Sequence, residues 1–178
     1  MAIYTKLGDR GKTSLYDLNN SQRNRVSKSS KRIEAIGGID ALNSCIGVLI
    51  TKINSPKIIK FLKETQRNLF IVGSIIAGSS LRFPITKTKK LERIIDEYES
   101  KLPVLSNFIL PGGGDAGSQA HFVRSLTRNA ERSIVSLSEE EKINEKILMY
   151  INRLSDYFFI LSRWLNHNDG VEEDLWKV

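Results

Sequence analysis

The sequence predicts an all-α protein, a five-helix bundle preceded by an irregular N-terminal arm. From Lys31 onward, apolar residues recur at steps of three and four, which is typical of the buried face of a helix. Residues 1–30 lack this period and contain no long apolar run. Proline and glycine divide the remainder into five segments, with breaks at Pro56, Gly78, Pro103 and 111–114.

The first two helices follow directly from this spacing. The first begins at Lys31 and is ended by Pro56, and the second runs from Ile59 to Gly78. The first has a continuous apolar seam formed by Ala35, Ile39, Leu42, Ile46, Leu49 and Ile53. Gln66 occupies a seam position in the second helix, so we expect a hydrogen-bond partner for its amide.

The last three helices are shorter or more polar. We expect the third over about 87–101 and the fourth after the 111–114 break. Ser138 and Glu141 have the spacing of a capping box, which predicts the start of a fifth helix. That helix should run for about 24 residues, or roughly 36 Å. No repeat or linker divides the chain, so we expect one domain over 1–178, with residues 1–30 as the arm and 31–178 as the bundle.

Composition limits the function classes. The chain has 178 residues, of which 40% are hydrophobic and 26% charged, and no uninterrupted apolar run approaches the roughly 20 residues of a membrane span. A single cysteine, Cys45, excludes an internal disulfide, and two histidines make a histidine-rich metal centre improbable. The N-terminus lacks an apolar signal core. We therefore expect a cytoplasmic protein that needs no membrane.

Positive charge is concentrated in the arm. The formal net charge is +7, and residues 1–32 carry six of these charges. The segment 4–14 combines glycines, hydroxyls and basic side chains, a composition suited to polyphosphate. It is not a P-loop, because Lys6 stands where a Walker A loop has its first glycine. A solvated basic tail is the alternative interpretation.

Polar residues also interrupt the last two helices. Arg124, Arg128 and Arg132 recur every four residues and therefore share a face, with Glu131 beside them. Arginine forks suit carboxylate and phosphate oxygens, although a solvated face gives the same pattern. In the fifth helix Asn152 lies one turn from Asp156. Polar groups beside a core need partners, and pairing of Asp40 with an arginine and of Asn152 with a ligand would supply them.

An apolar triplet, 108–110, precedes the 111–114 break. Hydrophobic residues in such a loop either pack beneath it or form part of an apolar ligand surface. The sequence alone leaves both alternatives open.

Taken together, these motifs resemble the PduO-type ATP:cob(I)alamin adenosyltransferases over nearly the full length. Five blocks match in order: 4–14; Glu34-Ala35 with Gly37, Asp40 and 42–44; 108–113; Arg124 with Arg128 and 130–132; and 152–156. A closing 170–172 and Trp176 also fit. The resemblance implies a homotrimer of five-helix bundles that binds ATP between subunits.

The resemblance also implies roles for individual residues. ATP would be bound by Thr5, Lys6, Leu7, Gly8, Thr13, Ser14 and Lys28 of one subunit and by Arg128, Glu131, Arg132 and Asn152 of its neighbour. Asp40 and Arg124 would pair across the interface. Phe108, with Phe159, would line the corrinoid site. Arg128 and Phe108 would have the principal catalytic roles.

The implied reaction transfers the 5′-deoxyadenosyl group of ATP to cob(I)alamin and releases triphosphate, with Mg²⁺ carried by the nucleotide. No protein metal site is implied. A reduced cobalt is itself a nucleophile, which agrees with the lack of a Ser-His-Asp or Cys-His arrangement. A flavoprotein reductase and an adenosylcobalamin-dependent enzyme are the implied partners, and the protein could itself hand adenosylcobalamin to that enzyme.

The sequence departs from the family pattern at four positions: Ala41, Arg67, Asn68 and Asn129. None of these four residues is among those expected to bind ATP. Two other functions remain open from the residues alone. One is a non-catalytic ATP or polyanion sensor, and the other is a basic RNA-binding module, which the absence of common aromatic base-stacking motifs disfavours. We therefore expect no nucleic acid partner.

Overall fold

The computed structural model describes residues 4, 6–17 and 22–176. Within them, five helices account for most of the chain, as the sequence predicts. Their bounds are α1 Lys31–Ile50, α2 Pro56–Ile76, α3 Thr86–Glu99, α4 Asp115–Ser138 and α5 Glu145–Asn168. The prediction of an all-α bundle, and of 24 residues for the last helix, is confirmed.

The helices pack in the order α2, α1, α4, α5, α3, with α4 against α5 at the centre. The apolar seam predicted for the first helix is buried over its whole length. Where α1 meets α4, a Cβ built on Gly38 would lie 3.3 Å from the Cα of Ala130. Glycine therefore lets these two backbones approach closely at that point.

The arm contains a β-hairpin, which corrects the prediction of an irregular segment. Strand β1, Lys12–Asp17, pairs antiparallel with β2, Gln22–Ser27, so that Lys12 lies opposite Ser27. Both strands are polar and give no clear alternation of apolar and polar residues. The two segments therefore lack the hydrophobic alternation that predicts a strand. Their backbones still pair, because the hydrogen bonds between strands do not depend on side-chain polarity.

Two predicted helix boundaries are also wrong. Pro56 does not end the first helix, because α1 stops at Ile50 and Pro56 opens α2, where its missing N–H removes no helical hydrogen bond. Ser138 does not cap the fifth helix, because it is the last residue of α4. Asn144 is the cap, and its side chain accepts a hydrogen bond from the Lys146 amide at 3.0 Å.

Gln66 of α2 has the hydrogen-bond partner that its seam position predicts, because its Nε2 donates to the Asn43 carbonyl at 3.1 Å.

Of the helices described, α1 alone is long and apolar enough by length and composition to cross a membrane. Polar residues interrupt its apolar stretch, so no uninterrupted apolar run marks it in the sequence. The core helix of a globular protein passes the same test, and α1 buries seven residues, among them Leu42, Ile46 and Leu49.

Candidate functional site

One cavity of about 600 Å³ lies between the hairpin and the outer faces of α1 and α2. We call it the arm cavity. Its polar lining comes from three of the expected nucleotide residues, Thr13, Ser14 and Lys28, together with Asp40 and Asn43. Its apolar lining comes from α1 and α2, including Phe70, whose ring is 68% exposed. Hydroxyls, an ammonium group and an apolar wall therefore converge on one space.

The turn before the hairpin has an unusual backbone. Lys6 has φ of 58°, a left-handed conformation that non-glycine residues rarely adopt, and Gly11 has φ of 70°. The Gly11 amide donates to the Gly8 carbonyl at 3.3 Å, and the Lys28 amide donates to the Gly11 carbonyl at 2.9 Å. A Cβ on Gly8 would lie 3.2 Å from the Lys28 ammonium. The turn thus brings the glycine-rich segment against a cation, an arrangement suited to an anion.

The guanidinium of Arg25 stabilises this turn. Arg25 donates to the carbonyl of Leu7 and, at 3.2 Å, to the carbonyl of Lys12. These bonds tie the 6–12 segment to the second strand of the hairpin. Arg25 was not among the residues predicted for the site, because its role depends on the hairpin that the sequence pattern did not reveal.

A second cavity, of about 640 Å³, lies between α3, α4 and α5. We call it the arginine cavity. Its charged lining combines arginines of α4 and α5 with carboxylates of α3 and α5: Arg124, Arg128, Arg153, Glu92, Asp96, Glu99 and Asp156. Phe159, expected beside Phe108 in the corrinoid site, contributes an aromatic ring to this cavity, which Phe108 does not line. Arg153 donates to Glu92 at 3.3 Å and to Asp156 at 2.9 Å.

Arg124 has an unfilled hydrogen-bonding position. Its Nε is buried, and no partner lies within hydrogen-bond distance in the described structure. Burial lowers the pKa of this guanidinium, and the charge of Arg128 lowers it further. An anionic partner at this place would relieve both effects.

The remaining nucleotide candidates cluster where α4 meets α5. The Asn152 amide donates to Glu131 at 2.8 Å, and Arg132 donates to the side chain of Asn129. Asn129 is one of the departures from the family pattern, and here it orients the neighbouring arginine. Asn152 was expected to need a ligand as its partner, whereas the structure gives it a protein partner.

Phe108 lies on the loop between α3 and α4, with its ring 78% exposed. Its carbonyl accepts from the Trp176 amide at 2.8 Å, and the two rings meet edge to face with centroids 6.4 Å apart. Ile109 and Leu175 form a β-bridge beside them. The apolar triplet is therefore held by the C-terminal segment and presents an aromatic ring to solvent.

The predicted residues fall into separate groups on one protomer. Thr13, Ser14, Lys28 and Asp40 line the arm cavity, whereas Arg124, Arg128 and Phe159 line the arginine cavity. Lys6, Leu7 and Gly8 form the turn, and Thr5 lies outside the described residues. Neither the arm cavity nor the arginine cavity is lined by both Asp40 and Arg124.

Two buried asparagines that were not among the predicted site residues lie beside these groups. Asn43 lines the arm cavity, and its Oδ1 is buried without a hydrogen-bond partner. Asn166 binds the loop that carries Phe108. A polar residue on the buried face of an apolar helix indicates that its side chain binds a polar group, but helical periodicity does not identify that group. Within residues 4, 6–17 and 22–176, no cluster of three or more His, Cys, Asp or Glu side chains could hold a metal ion.

Comparison with known proteins places these features in a family. The family model for cobalamin adenosyltransferase matches residues 3–165. A cobalamin adenosyltransferase from Cupriavidus metallidurans is 41% identical, with 98% of this chain and 94% of the relative aligned. A corrinoid adenosyltransferase from Bacillus subtilis is 38% identical, with 96% and 90% aligned.

Solved structures give the same result. A variant of the PduO-type ATP:corrinoid adenosyltransferase from Lactobacillus reuteri, complexed with cobalamin and ATP, superposes with a TM-score of 0.93. The two sequences are 37% identical, and the match covers 99% of this chain and 100% of the other. The likeness thus extends over the residues that line both cavities.

Proposed function

The chain belongs to the cobalamin adenosyltransferase family, and we propose that it transfers the 5′-deoxyadenosyl group of ATP to cob(I)alamin, giving adenosylcobalamin and triphosphate. It is an ATP:corrinoid adenosyltransferase. The observation that carries this conclusion is the full-length match to a PduO-type enzyme complexed with both cobalamin and ATP. The arm cavity, lined by Thr13, Ser14 and Lys28, supplies the hydroxyls and the ammonium group that a triphosphate requires.

The chemistry needs no nucleophile from the protein. The cobalt of cob(I)alamin donates an electron pair to the ribose 5′ carbon, the bond from that carbon to oxygen breaks, and triphosphate leaves with the bonding electrons. The protein aligns the two substrates and stabilises the charge that develops on the leaving group. A separate reductant, a flavoprotein in our proposal, supplies cob(I)alamin.

The cations are placed for the triphosphate. Lys28 lies beside Gly8 in the turn and also lines the arm cavity with Thr13 and Ser14. Lys6 and Leu7 belong to the same turn, and Thr5 precedes it. We propose that this segment wraps the phosphates and that Mg²⁺ arrives with the nucleotide.

We propose that the site is completed between subunits of a homotrimer. Arg128, Glu131, Arg132 and Asn152 lie on α4 and α5, and none of them lines the arm cavity. Bringing them to the phosphates held by the arm requires a second copy of the chain. Asp40 and Arg124 support the same arrangement, because the exposed Asp40 lines the arm cavity, whereas Arg124, whose buried Nε has no partner in the described structure, lines the arginine cavity.

Phe108 and Phe159 are the proposed corrinoid contacts. Phe108 projects from its loop into solvent, where a bound macrocycle would cover its apolar ring. In this position it would exclude the lower axial ligand of cobalt and make the Co(II) form easier to reduce. We propose a cytoplasmic enzyme that needs no membrane or nucleic acid and that delivers adenosylcobalamin to an enzyme that uses it.

The decisive experiment is an anaerobic assay with chemically reduced cob(I)alamin, ATP and Mg²⁺. The corrinoid spectrum and released triphosphate are followed together. Equal amounts of adenosylcobalamin and triphosphate are the expected result. ATP binding without either product would overturn the proposal and favour a non-catalytic ATP sensor, with Ala41 and Arg67 the first residues to revert to the family pattern.

A further inference from the structure

Asn166, in the last turn of α5, binds the loop that carries Phe108. The residue is only 3% exposed. Its Nδ2 donates to the Gly112 carbonyl at 3.0 Å, and its Oδ1 accepts from the Gly114 amide at 3.1 Å. One side chain thus satisfies a donor and an acceptor on either side of Gly113, which fixes the backbone of the loop relative to α5.

The loop and α4 are shaped around this amide. A Cβ on Gly113 would lie 2.4 Å from Asn166 Nδ2, and a Cβ on Gly117 would lie 1.9 Å from its Oδ1. Gly113 also has φ of 105°, which favours glycine. Two glycines therefore leave room for the Asn166 amide, and any side chain at either position would displace it.

The same residue holds the C-terminal segment. The Asn166 carbonyl accepts from the Val171 amide at 2.9 Å. Residues 174–176 then pair with 108–110, through the Leu110 amide to the Asp174 carbonyl and the Trp176 amide to the Phe108 carbonyl, both 2.8 Å. Asn166 therefore anchors both segments that meet at Phe108.

Phe108 depends on these backbone bonds for its position. Its ring is largely exposed, so burial in the core does not fix it, and its edge-to-face contact is with Trp176, which is itself 52% exposed. The position of Phe108 is therefore fixed by the backbone hydrogen bonds of the loop and of the C-terminal segment. We propose that Asn166 is the positioning residue for Phe108, and hence for the corrinoid step of the proposed reaction.

This inference rests on the proposed function and predicts different effects on ATP affinity and on the rate of adenosyl transfer. ATP would bind at the arm and at Arg128, which do not contact Asn166 in the described chain, so its affinity should not change. The transfer step should slow, because a displacement on the order of 1 Å at a reacting centre can cost about 10²-fold in rate. Binding and catalysis are therefore expected to respond differently to substitution of Asn166.

The test compares Asn166→Leu and Asn166→Asp with the full-length wild type. Leucine has a similar shape but forms neither hydrogen bond, whereas aspartate keeps the acceptor for the Gly114 amide. Asn68→Leu is the matched control, because Asn68 is equally buried and donates to the Tyr150 hydroxyl at 3.1 Å, away from the loop. Hydrogen exchange of 108–114 and 171–176, the corrinoid spectrum, kcat and KM for ATP are measured for each.

We expect Asn166→Leu to exchange faster in 108–114, whereas the Val171 amide should stay protected because its acceptor is the backbone carbonyl of residue 166. The same variant should lower kcat about 10- to 100-fold, with KM for ATP changed by less than about twofold. Bound cob(II)alamin should then retain the spectrum of the form with its lower ligand. Asn166→Asp should lie between Asn166→Leu and wild type. Asn68→Leu should lower the melting temperature without changing the loop exchange or the spectrum.

Unchanged exchange in 108–114 for Asn166→Leu would overturn the structural role of Asn166. Faster exchange with wild-type kcat and corrinoid spectrum would overturn its positioning role. An equal fall in kcat for Asn68→Leu would show a general effect of destabilisation and would also overturn it. A wild-type protein that forms no adenosylcobalamin would instead refute the proposed function, and hydrogen exchange distinguishes that failure because it needs no substrate.

Discussion

The side chains of Glu131 and Asn152 are joined by a hydrogen bond of 2.8 Å, in which the Asn152 amide donates to the Glu131 carboxylate. This bond links α4 to α5 three residues along the helix from Arg128. The Glu131 carboxylate is thus directed toward α5. Arg128 is exposed on the same helix, where it can meet the phosphates of a nucleotide held by the arm of a second copy of the chain, as proposed above.

Arg128→Ala should abolish most of the adenosyltransferase activity while leaving the proposed homotrimer intact. Removing a charge-stabilising donor from an active site lowers kcat by about 10²- to 10³-fold. The exposed position of Arg128 predicts a change in unfolding free energy within about 0.5 kcal/mol. Steady-state rates and light scattering measure the two effects.

The control for this variant is Arg93→Ala. Arg93 is an exposed arginine on α3 that lines neither cavity, so its removal makes the same change in net charge. It should retain wild-type kcat. Equal loss of assembly and activity in Arg128→Ala would mean that Arg128 is structural.

Phe108→Ala should leave ATP binding nearly unchanged and slow adenosylation. The phenylalanine ring is exposed and makes an edge-to-face contact with Trp176, so its loss should cost little stability. Its proposed role concerns the corrinoid, not the nucleotide. Calorimetric titration with ATP and the rate of adenosylcobalamin formation give the two quantities.

Val104→Ala is the control for Phe108→Ala, because Val104 is 96% exposed in the same connection between α3 and α4. Its rate should match the wild type. Weakened ATP binding as the main defect of Phe108→Ala would contradict the role proposed for this residue.

Glu173→Gln should destabilise the protein. Arg163 is buried on α5, and its guanidinium donates to both carboxylate oxygens of Glu173, at 2.6 and 3.0 Å, and to the Pro103 carbonyl at 2.9 Å. The buried Arg163 guanidinium would be left without its compensating charge. Because the Glu173 side chain is itself 21% exposed, the cost should fall near the lower end of the range of about 3–5 kcal/mol expected for a buried ion pair. Urea unfolding of wild type and variant measures the difference.

The same substitution at a surface ion pair provides the comparison. Glu97 contacts Lys57 at 2.7 Å, with both side chains substantially exposed. Glu97→Gln should change the free energy of unfolding by less than about 1 kcal/mol. If the two variants lost equal stability, burial of the Arg163–Glu173 pair would not be what makes it important.

The sequence could predict the helices because their burial is periodic. The seam from Ala35 to Leu49 is buried as the spacing requires, and Gln66 has the partner that its position demanded. Helix ends were harder to predict, because several residues can satisfy the same terminal amides. Asn144 caps α5, while Glu141 of the expected capping box pairs with Arg32 of α1 instead.

The site itself was only partly predictable. The family motifs suggest which charged residues belong to it, but the sequence does not give the distances between helices. Asn166 is 52 residues from Gly114 in the chain, and its contact with the loop depends on how α5 meets the start of α4. Periodicity assigns a residue to the buried face of a helix but does not identify the group that it contacts there.

Acid should destabilise the protein through His121. Burial lowers the pKa of this histidine to about 4, the charge of Arg124 also lowers it, and Glu173 opposes the change. The native state therefore holds the imidazole neutral, while the unfolded chain takes up a proton as the pH falls below about 6.5. Stability contributed by the neutral form is fully present above pH 6.5 and is lost as the pH falls toward 4.

His121→Gln should remove this contribution. Between about pH 7 and pH 5 the wild type should lose roughly 2 kcal/mol of unfolding free energy more than the variant does. Denaturant unfolding at both pH values measures this difference, and His167→Gln, which removes the exposed histidine at the end of α5, should behave as the wild type. If the wild type and His121→Gln lost the same stability over this interval, the imidazole would have to be protonated in the native state, and the cause of acid sensitivity would lie elsewhere.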